Sequence, residues 1–89
     1  MLKPAYTKQF QKDLKKMERQ GKNIEKLKLI IIQLVNQKLL NEAHRDHKLI
    51  GNYKDRRECH IESDWLLIYK TTEEEIIFER TGSHSDLFK

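Results

Sequence analysis

Arg57-Glu58-Cys59-His60-Ile61-Glu62-Ser63-Asp64-Trp65-Leu66-Leu67-Ile68-Tyr69 is the stretch that decides the fold. Apolar and polar residues alternate on both sides of Ser63-Asp64, which predicts two half-buried strands, Arg57–Glu62 and Trp65–Thr71, joined by a two-residue turn. In such a hairpin Glu62 faces Trp65, Ile61 faces Leu66, His60 faces Leu67 and Glu58 faces Tyr69. Side chains alternate across a sheet. One face should therefore carry Cys59, Ile61, Leu66 and Ile68, a dry set suited to lie under helices. The other should carry Glu58, His60, Glu62, Trp65, Leu67 and Tyr69. A one-residue slip would change each of these pairings. Titratable groups mixed with aromatic rings are unusual on a merely solvated face, and they mark the hairpin as the floor of a site.

Working outward, Thr72-Glu73-Glu74 reads as a turn into a third strand, Glu75–Thr81. The tail from Gly82 to Lys89 is too short for a stable helix of its own. Upstream, Asn41 to Arg56 is polar and aperiodic, with His44, Arg45, Asp46, His47, Lys48, Gly51, Asn52, Lys54 and Asp55. It reads as a long functional loop anchored by Leu49, Ile50 and Tyr53, since loops longer than about twelve residues are uncommon in compact domains. Before it lie two helical patterns. Thr7 can cap Lys8 to Arg19, where Phe10, Leu14 and Met17 form one stripe. After the break at Gln20-Gly21-Lys22, Asn23 can cap Ile24 to Gln37, with Ile24, Leu27, Ile31, Leu34 and Val35 at helical spacing. Ile30 and Ile32 widen that stripe enough to leave surface for a partner. Leu2 to Tyr6 can be a strand, confined by Pro4 to a sheet edge or its first residues. The order implies an α+β fold: an N-terminal strand and a two-helix hairpin packed on an antiparallel sheet, as one domain spanning 1–89.

Composition narrows the function. The hydrophobic share is 37%, the charged share 36% and the net charge +4, so a polyanionic partner is expected: RNA, DNA or an acidic protein. The single cysteine, Cys59, rules out an internal disulfide. No apolar run approaches the roughly 18 residues of a membrane span. Met1-Leu2-Lys3-Pro4 lacks the apolar core of a signal peptide. A cytoplasmic protein with no membrane partner is expected.

The hairpin's polar face suits phosphodiester cleavage without a metal. RNA carries its own nucleophile, the 2′-hydroxyl. The protein must supply a base, an acid for the leaving oxygen, and cations for the transition state. Histidine fits both proton roles because its unperturbed pKa, about 6.5, lies near neutrality. His47, His60 and His84 come from loop, strand and tail, and only the fold can bring them together. His44 reads as an ordinary surface histidine. The zinc-like set His44, His47, Cys59 and His60 fails on geometry, because adjacent strand residues project to opposite faces. A Cys59–histidine nucleophile fails for the same reason. Trp65 and Tyr69 are either stacking surfaces or plain packing, Arg80 either functional or an ordinary strand residue, and Phe88 either pinned or a contact. The first helix's lysines are a solvated face that also suits long-range attraction to phosphates.

Asp46-His47-Lys48-Leu49 with Gly51, the opening stretch, Glu79-Arg80-Thr81-Gly82-Ser83-His84 and Leu87-Phe88 together resemble the YafQ branch of the RelE/ParE toxin superfamily. The resemblance covers essentially the whole chain. It implies a RelE-like fold and the toxin of a type II toxin–antitoxin pair, a ribosome-dependent mRNA endoribonuclease that cuts the codon in the A site and leaves a cyclic phosphate. It implies no cofactor and no metal. The implied partners are a cognate antitoxin, the ribosome and mRNA, with operator DNA reached only through the antitoxin. Carried over by position, His47, His60, Asp64 and His84 are the proton-transfer and orienting residues, with His84 as the acid. Trp65 and Phe88 would hold the nucleotide, Arg80 would steady the phosphate, and Lys48 and Lys54 are further substrate-binding candidates. YafQ-type sequences can have Asp where this chain has Glu58. Two alternatives stand beside this reading: a ParE-like inhibitor of DNA gyrase on the same fold, and a non-catalytic basic RNA- or protein-binding module.

Overall fold

The computed structural model describes residues 1–49, 51 and 55–88. The expected loop anchors Ile50 and Tyr53 and the binding candidate Lys54 lie outside the described residues. In chain order the elements are β1 (Lys3–Tyr6), α1 (Lys8–Arg19), α2 (Ile24–Val35), a 3-10 turn (Glu42–His44), β2 (His47–Lys48), β3 (Arg57–Glu62), β4 (Trp65–Thr71), β5 (Glu75–Gly82) and α3 (His84–Leu87). The strands form one sheet in the order β1-β5-β4-β3-β2. Strands β2 to β5 pair antiparallel, but β1 joins β5 in parallel, from Lys3↔Glu75 to Tyr6↔Phe78, so the sheet is mixed. Pro4 accordingly sits on an edge strand, where its missing donor is tolerated.

The caps are where the sequence puts them. The Thr7 hydroxyl oxygen accepts from the Phe10 N–H, and the Asn23 side chain accepts from the Glu25 N–H. Helix α2 ends at Val35, two residues earlier than its spacing suggests, because the chain turns through a left-handed Gln37 (φ 58°). Both helices pack on one face of the sheet. Phe10 and Met17 of α1 and Leu27, Ile30 and Leu34 of α2 bury themselves against Cys59, Ile61, Trp65, Leu67, Tyr69, Ile76 and Phe78. Burying such a side chain is worth about 1.5–3 kcal/mol.

That face is not the one strict alternation predicts for β4. Glu62 does pair with Trp65 across the Ser63-Asp64 turn, but the next pair is His60↔Leu66, followed by Cys59↔Leu67, Glu58↔Ile68 and Arg57↔Tyr69. Ile61 is the extra residue of a β-bulge, and beyond it the register runs one residue out. Trp65, Leu67 and Tyr69 therefore join Cys59 under the helices, while Leu66 and Ile68 move to the face of Glu58 and His60. The bulge also lets Ile61 and Glu62 serve the helix side together. Ile61 is buried in the core, and Glu62 receives Lys26 at 2.9 Å and Lys22 at 3.6 Å.

Strand β1 covers only the first half of β5, and α1 covers the rest. The Thr7 hydroxyl donates to the Glu79 carbonyl at 2.9 Å, and the buried Asp13 carboxylate accepts from the Thr81 N–H at 3.2 Å. Arg80 closes on the same carboxylate, donating from Nε at 2.8 Å and Nη2 at 3.2 Å. One edge acceptor, the Glu79 carbonyl, and one edge donor, the Thr81 N–H, are thus capped from one helix.

Candidate active site

Leu66 and Ile68, placed outward by the bulge, form a small second apolar cluster with Leu87 of α3, and Leu49 packs against it. This cluster docks the tail. Helix α3 is a single turn stabilised by a reciprocal capping box, in which Ser83 Oγ accepts from the Asp86 N–H and the Asp86 carboxylate accepts from the Ser83 N–H. Lys16 of α1 reaches Asp86 at 2.8 Å. That contact first, and the Ser83 N–H second, hold the Asp86 carboxyl down to about 2. A tail too short to be a helix alone becomes one here through burial and caps. A side chain at Gly82 would place its Cβ 3.2 Å from the Asp86 side chain, so glycine lets the turn lie close.

The docking fixes His84. Its backbone N–H and its ring Nδ1 both reach Asp64 Oδ1, at 2.9 and 2.8 Å. An ionised carboxylate only accepts, so Nδ1 carries the proton and Nε2 faces outward. The two His84 donors, the backbone one foremost, lower the pKa of Asp64 and keep it anionic. Asp64 and His84 are twenty residues apart and form a dyad at the turn end of the hairpin.

His60 lies between the other two histidines. Its ring is centred 5.6 Å from His84 and 6.5 Å from His47. The three expected histidines therefore converge on one face. Beneath them sits Glu58, whose side chain is only 7% exposed. Its Oε2 is 3.0 Å from His47 Nε2 and 3.9 Å from His60 Nε2, and its Oε1 is buried without a hydrogen-bond partner among the described residues. A buried carboxylate with an unsatisfied oxygen is costly unless positive charge lies nearby.

His47 arrives on an edge strand of two residues, paired His47↔Glu58 and Lys48↔Arg57. Its Nδ1 contacts the Arg45 carbonyl at 2.5 Å, and Arg45 itself is left-handed (φ 46°). A carbonyl cannot donate, so Nδ1 carries a proton. The Nε2 of His47 lies 3.0 Å from Glu58 Oε2, an ion pair whenever the ring is protonated. Asp46, one residue earlier, points through to the helix face. There its Oδ1 accepts from the Tyr69 hydroxyl at 2.6 Å and from Arg57 Nε at 3.2 Å. Burial first, and then this contact with Asp46, push the Tyr69 phenol pKa up. His44 stands behind the site, its Nδ1 donating to the His60 carbonyl at 2.7 Å.

The remaining expectations divide. Phe88 follows α3, is 41% exposed and lies 6.4 Å from the His84 ring, so it borders the histidines. Lys48 lines a groove of about 540 Å³ with Arg56, Arg57 and Lys70. Trp65 does not reach the working face. It is 0% exposed, and its indole N–H donates to Thr81 Oγ1 at 3.0 Å, because the bulge turns it into the core. Arg80 is engaged with Asp13 on α1, which makes it a clamp between helix and sheet. Cys59 is fully buried on the face opposite His60, and burial raises its thiol pKa. Among the described residues no three His, Cys, Asp or Glu side chains form a group suited to a metal ion. Glu58, which the sequence places on the polar face without a role, lies beneath His47 and His60, and Asp46, not expected as a site residue, lies on the opposite face beside His47 in sequence. The spacing Glu58-x-His60 on one strand was the available signal for the first.

Comparison with known proteins identifies the family. Residues 2–89 match the family model described as the bacterial toxin of type II toxin–antitoxin systems, YafQ. The mRNA interferase toxin YafQ of Escherichia coli K12 is 43% identical over 84 residues, covering 93% of this chain and 91% of the relative. The crystal structure of the E. coli DinJ-YafQ toxin–antitoxin complex contains a chain that superposes with a TM-score of 0.92 at 39% identity, covering 99% of this chain and 98% of that one. A metal-bound toxin from Helicobacter pylori superposes equally well, at 0.92 and 38% identity, over 99% of this chain and all of that one.

Proposed function

We propose that this chain, which belongs to the YafQ family of toxins from type II toxin–antitoxin systems, is an mRNA interferase that cleaves the codon in the ribosomal A site. The observation that carries the reading is the convergence of His47, His60 and His84 on one open face, with Glu58 beneath the first two and Asp64 holding the third.

His84, fixed by Asp64 through Nδ1, presents Nε2 and in its protonated form is the acid for the leaving 5′-oxygen. His60 takes the 2′-hydroxyl proton, with the Glu58 carboxylate 3.9 Å away to stabilise the imidazolium that results. His47, 3.0 Å from the Glu58 carboxylate, supplies positive charge beside the phosphate in its protonated form. The 2′-oxygen attacks the adjacent phosphorus, the bond to the 5′-oxygen breaks, and a 2′,3′-cyclic phosphate remains on the upstream fragment. Phe88 beside His84 offers a ring for a splayed base, an interaction worth about 1–3 kcal/mol. The groove with Lys48 suits the RNA backbone. The partners are the ribosome with its mRNA and a cognate antitoxin, as E. coli YafQ has in DinJ. The working compartment is the cytoplasm, and no helix of the described residues is long and apolar enough to cross a membrane.

The test is cleavage of a reporter mRNA on purified programmed ribosomes, mapped by primer extension with analysis of the 3′ end. The wild-type protein should cut within the A-site codon and leave the cyclic phosphate. His84→Gln should lower the rate by roughly 10²- to 10⁴-fold. Equal cutting by that variant, or inhibition of gyrase supercoiling in place of cleavage, would overturn the assignment.

A further inference from the structure

Strand β2 delivers His47 to the site, yet it pairs through only two residues at the edge of the sheet. Two ladder pairs and the Leu49 N–H donating to the Arg56 carbonyl at 2.9 Å leave such an edge segment prone to fraying. Something else must fix where His47 points. Leu49 of this segment packs on the outward Leu66 and Ile68 cluster, and on the helix face Asp46 reaches across to β4 through its 2.6 Å contact with the Tyr69 hydroxyl. The same oxygen takes Arg57 Nε at 3.2 Å, and Arg57 is the cross-strand partner of both Lys48 and Tyr69. Asp46 is thus tied at once to the strand beside it and to the one beyond.

Alternation turns this tie into an aiming device. Consecutive residues of an extended chain project to opposite faces. Pinning Asp46 to Tyr69 on the helix face directs His47 to the other face, where Glu58 Oε2 receives its Nε2 at 3.0 Å. The hub is also the cheaper place for a rigid anchor. Tyr69 is 2% exposed and set in the main core, so its hydroxyl is a fixed point that a surface side chain is not. We infer that Asp46 is a positioning residue for the proposed reaction, which holds His47 on Glu58 through a buried anchor of Tyr69 and Arg57 on the opposite face of the sheet. Asp46 touches neither substrate nor histidine ring in this arrangement. It acts through the single peptide bond that joins it to His47.

This inference rests on the cleavage reading only for its catalytic consequence, and the two can be separated. Histidine side-chain ¹⁵N–¹H NMR reports the protonation and tautomer of each ring without any turnover. In wild-type protein His47 should show one fixed ring state, with a proton on Nδ1 held by the Arg45 carbonyl. Asp46→Ala should convert His47 to the averaged spectrum of a mobile imidazole, while His84, held by Asp64, keeps its signals. Asp46→Asn retains an acceptor oxygen and should rescue most of the wild-type pattern. Tyr69→Phe, which removes only the hydroxyl, should give an intermediate spectrum. On ribosomes, Asp46→Ala should lower kcat by roughly 10- to 100-fold with KM unchanged, the scale expected when a reacting group is displaced by about 1 Å. The same substitution added to His47→Gln should change the rate less than about twofold, because its effect runs through that ring. Unmoved His47 signals in Asp46→Ala overturn the anchor, whatever the ribosome assay gives. So does an undiminished effect in the His47→Gln background. Displaced His47 signals with wild-type cleavage leave the anchor standing and remove His47 from the reaction.

Discussion

Trp65 separates two accounts of the hairpin. If the hairpin paired without a bulge, Trp65 would sit beside His60 and stack on the nucleotide. With the bulge at Ile61 it is a core residue, 0% exposed, whose indole N–H donates to Thr81 Oγ1 at 3.0 Å. Replacing Trp65 with Phe keeps a ring but removes that donor and part of the buried volume. The Thr81 hydroxyl still donates to the Leu66 carbonyl at 2.7 Å, so one of its two contacts survives. Losing the indole contact is worth about 1 kcal/mol. The lost volume adds about another 1 kcal/mol, well short of the roughly 3–5 kcal/mol of a full truncation to Ala. A total of about 2 kcal/mol lowers the Tm of a domain this size by roughly 8–16 °C. Thermal unfolding followed by far-UV circular dichroism measures the shift, and urea unfolding with an unchanged m-value checks that the folded state is the same. At 25 °C, where the variant remains folded, ribosome-dependent cleavage should stay within about threefold of wild type. A Tm within a degree of wild type together with a tenfold loss of cleavage would refute this reasoning and return Trp65 to the substrate.

Three further outcomes follow from the site. Asp86, depressed to about 2 by Lys16 and Ser83, has a lower pKa folded than unfolded. Its contribution to docking α3 is therefore complete above about pH 4 and is lost as pH falls through about 2. Leu87 methyl resonances should leave the Leu66 and Ile68 cluster over that interval, and Asp86→Ala should show the detached spectrum already at pH 7. Glu58→Gln keeps the shape but cannot balance a charged His47 or His60. It should reduce kcat by roughly tenfold or more with little change in KM on programmed ribosomes, and an unchanged kcat would make Glu58 a bystander. Because the proposed chemistry uses only side chains and the RNA's own hydroxyl, dialysis against EDTA should leave the protein's cleavage rate unaltered once ribosomal magnesium is restored. A loss that only zinc or copper reverses would contradict that.

Much of this architecture can be read from residue order alone, and the places where it cannot share a cause. Caps at Thr7 and Asn23 and the amphipathic stripes of α1 and α2 are local properties, set within a few residues, and the helices form where those signals stand. The convergence of three histidines was anticipated from residue type and context, without the geometry that brings them together. The parallel pairing of β1 with β5 is a contact between chain ends some seventy residues apart and leaves no local trace. The α3 turn is similar. His84 to Leu87 has too few hydrogen bonds to persist alone, and it forms because Leu87 finds Leu66 and Ile68, and Asp86 finds Lys16.

The β-bulge shows how a one-residue irregularity redistributes function. Strict alternation assigns Glu58 and His60 to the polar face correctly, since both lie before the bulge on one strand. It then fails for every residue of β4, because Ile61 is extra and the partner strand is read one step out. The exchange has chemical consequences on both faces. Trp65, Leu67 and Tyr69 enlarge the helix-side core, and Tyr69 becomes the fixed point for Asp46. Leu66 and Ile68 take their place beside the histidines and form the dry ledge on which α3 docks. Without that ledge the tail would rest on exposed polar contacts, His84 with Asp64 and Asp86 with Lys16. A flat hairpin would thus have offered an aromatic surface and no means of seating the tail. The bulged one gives up the aromatic surface and gains two positioned histidines, one anchored from beneath the sheet and one carried in from the C-terminus.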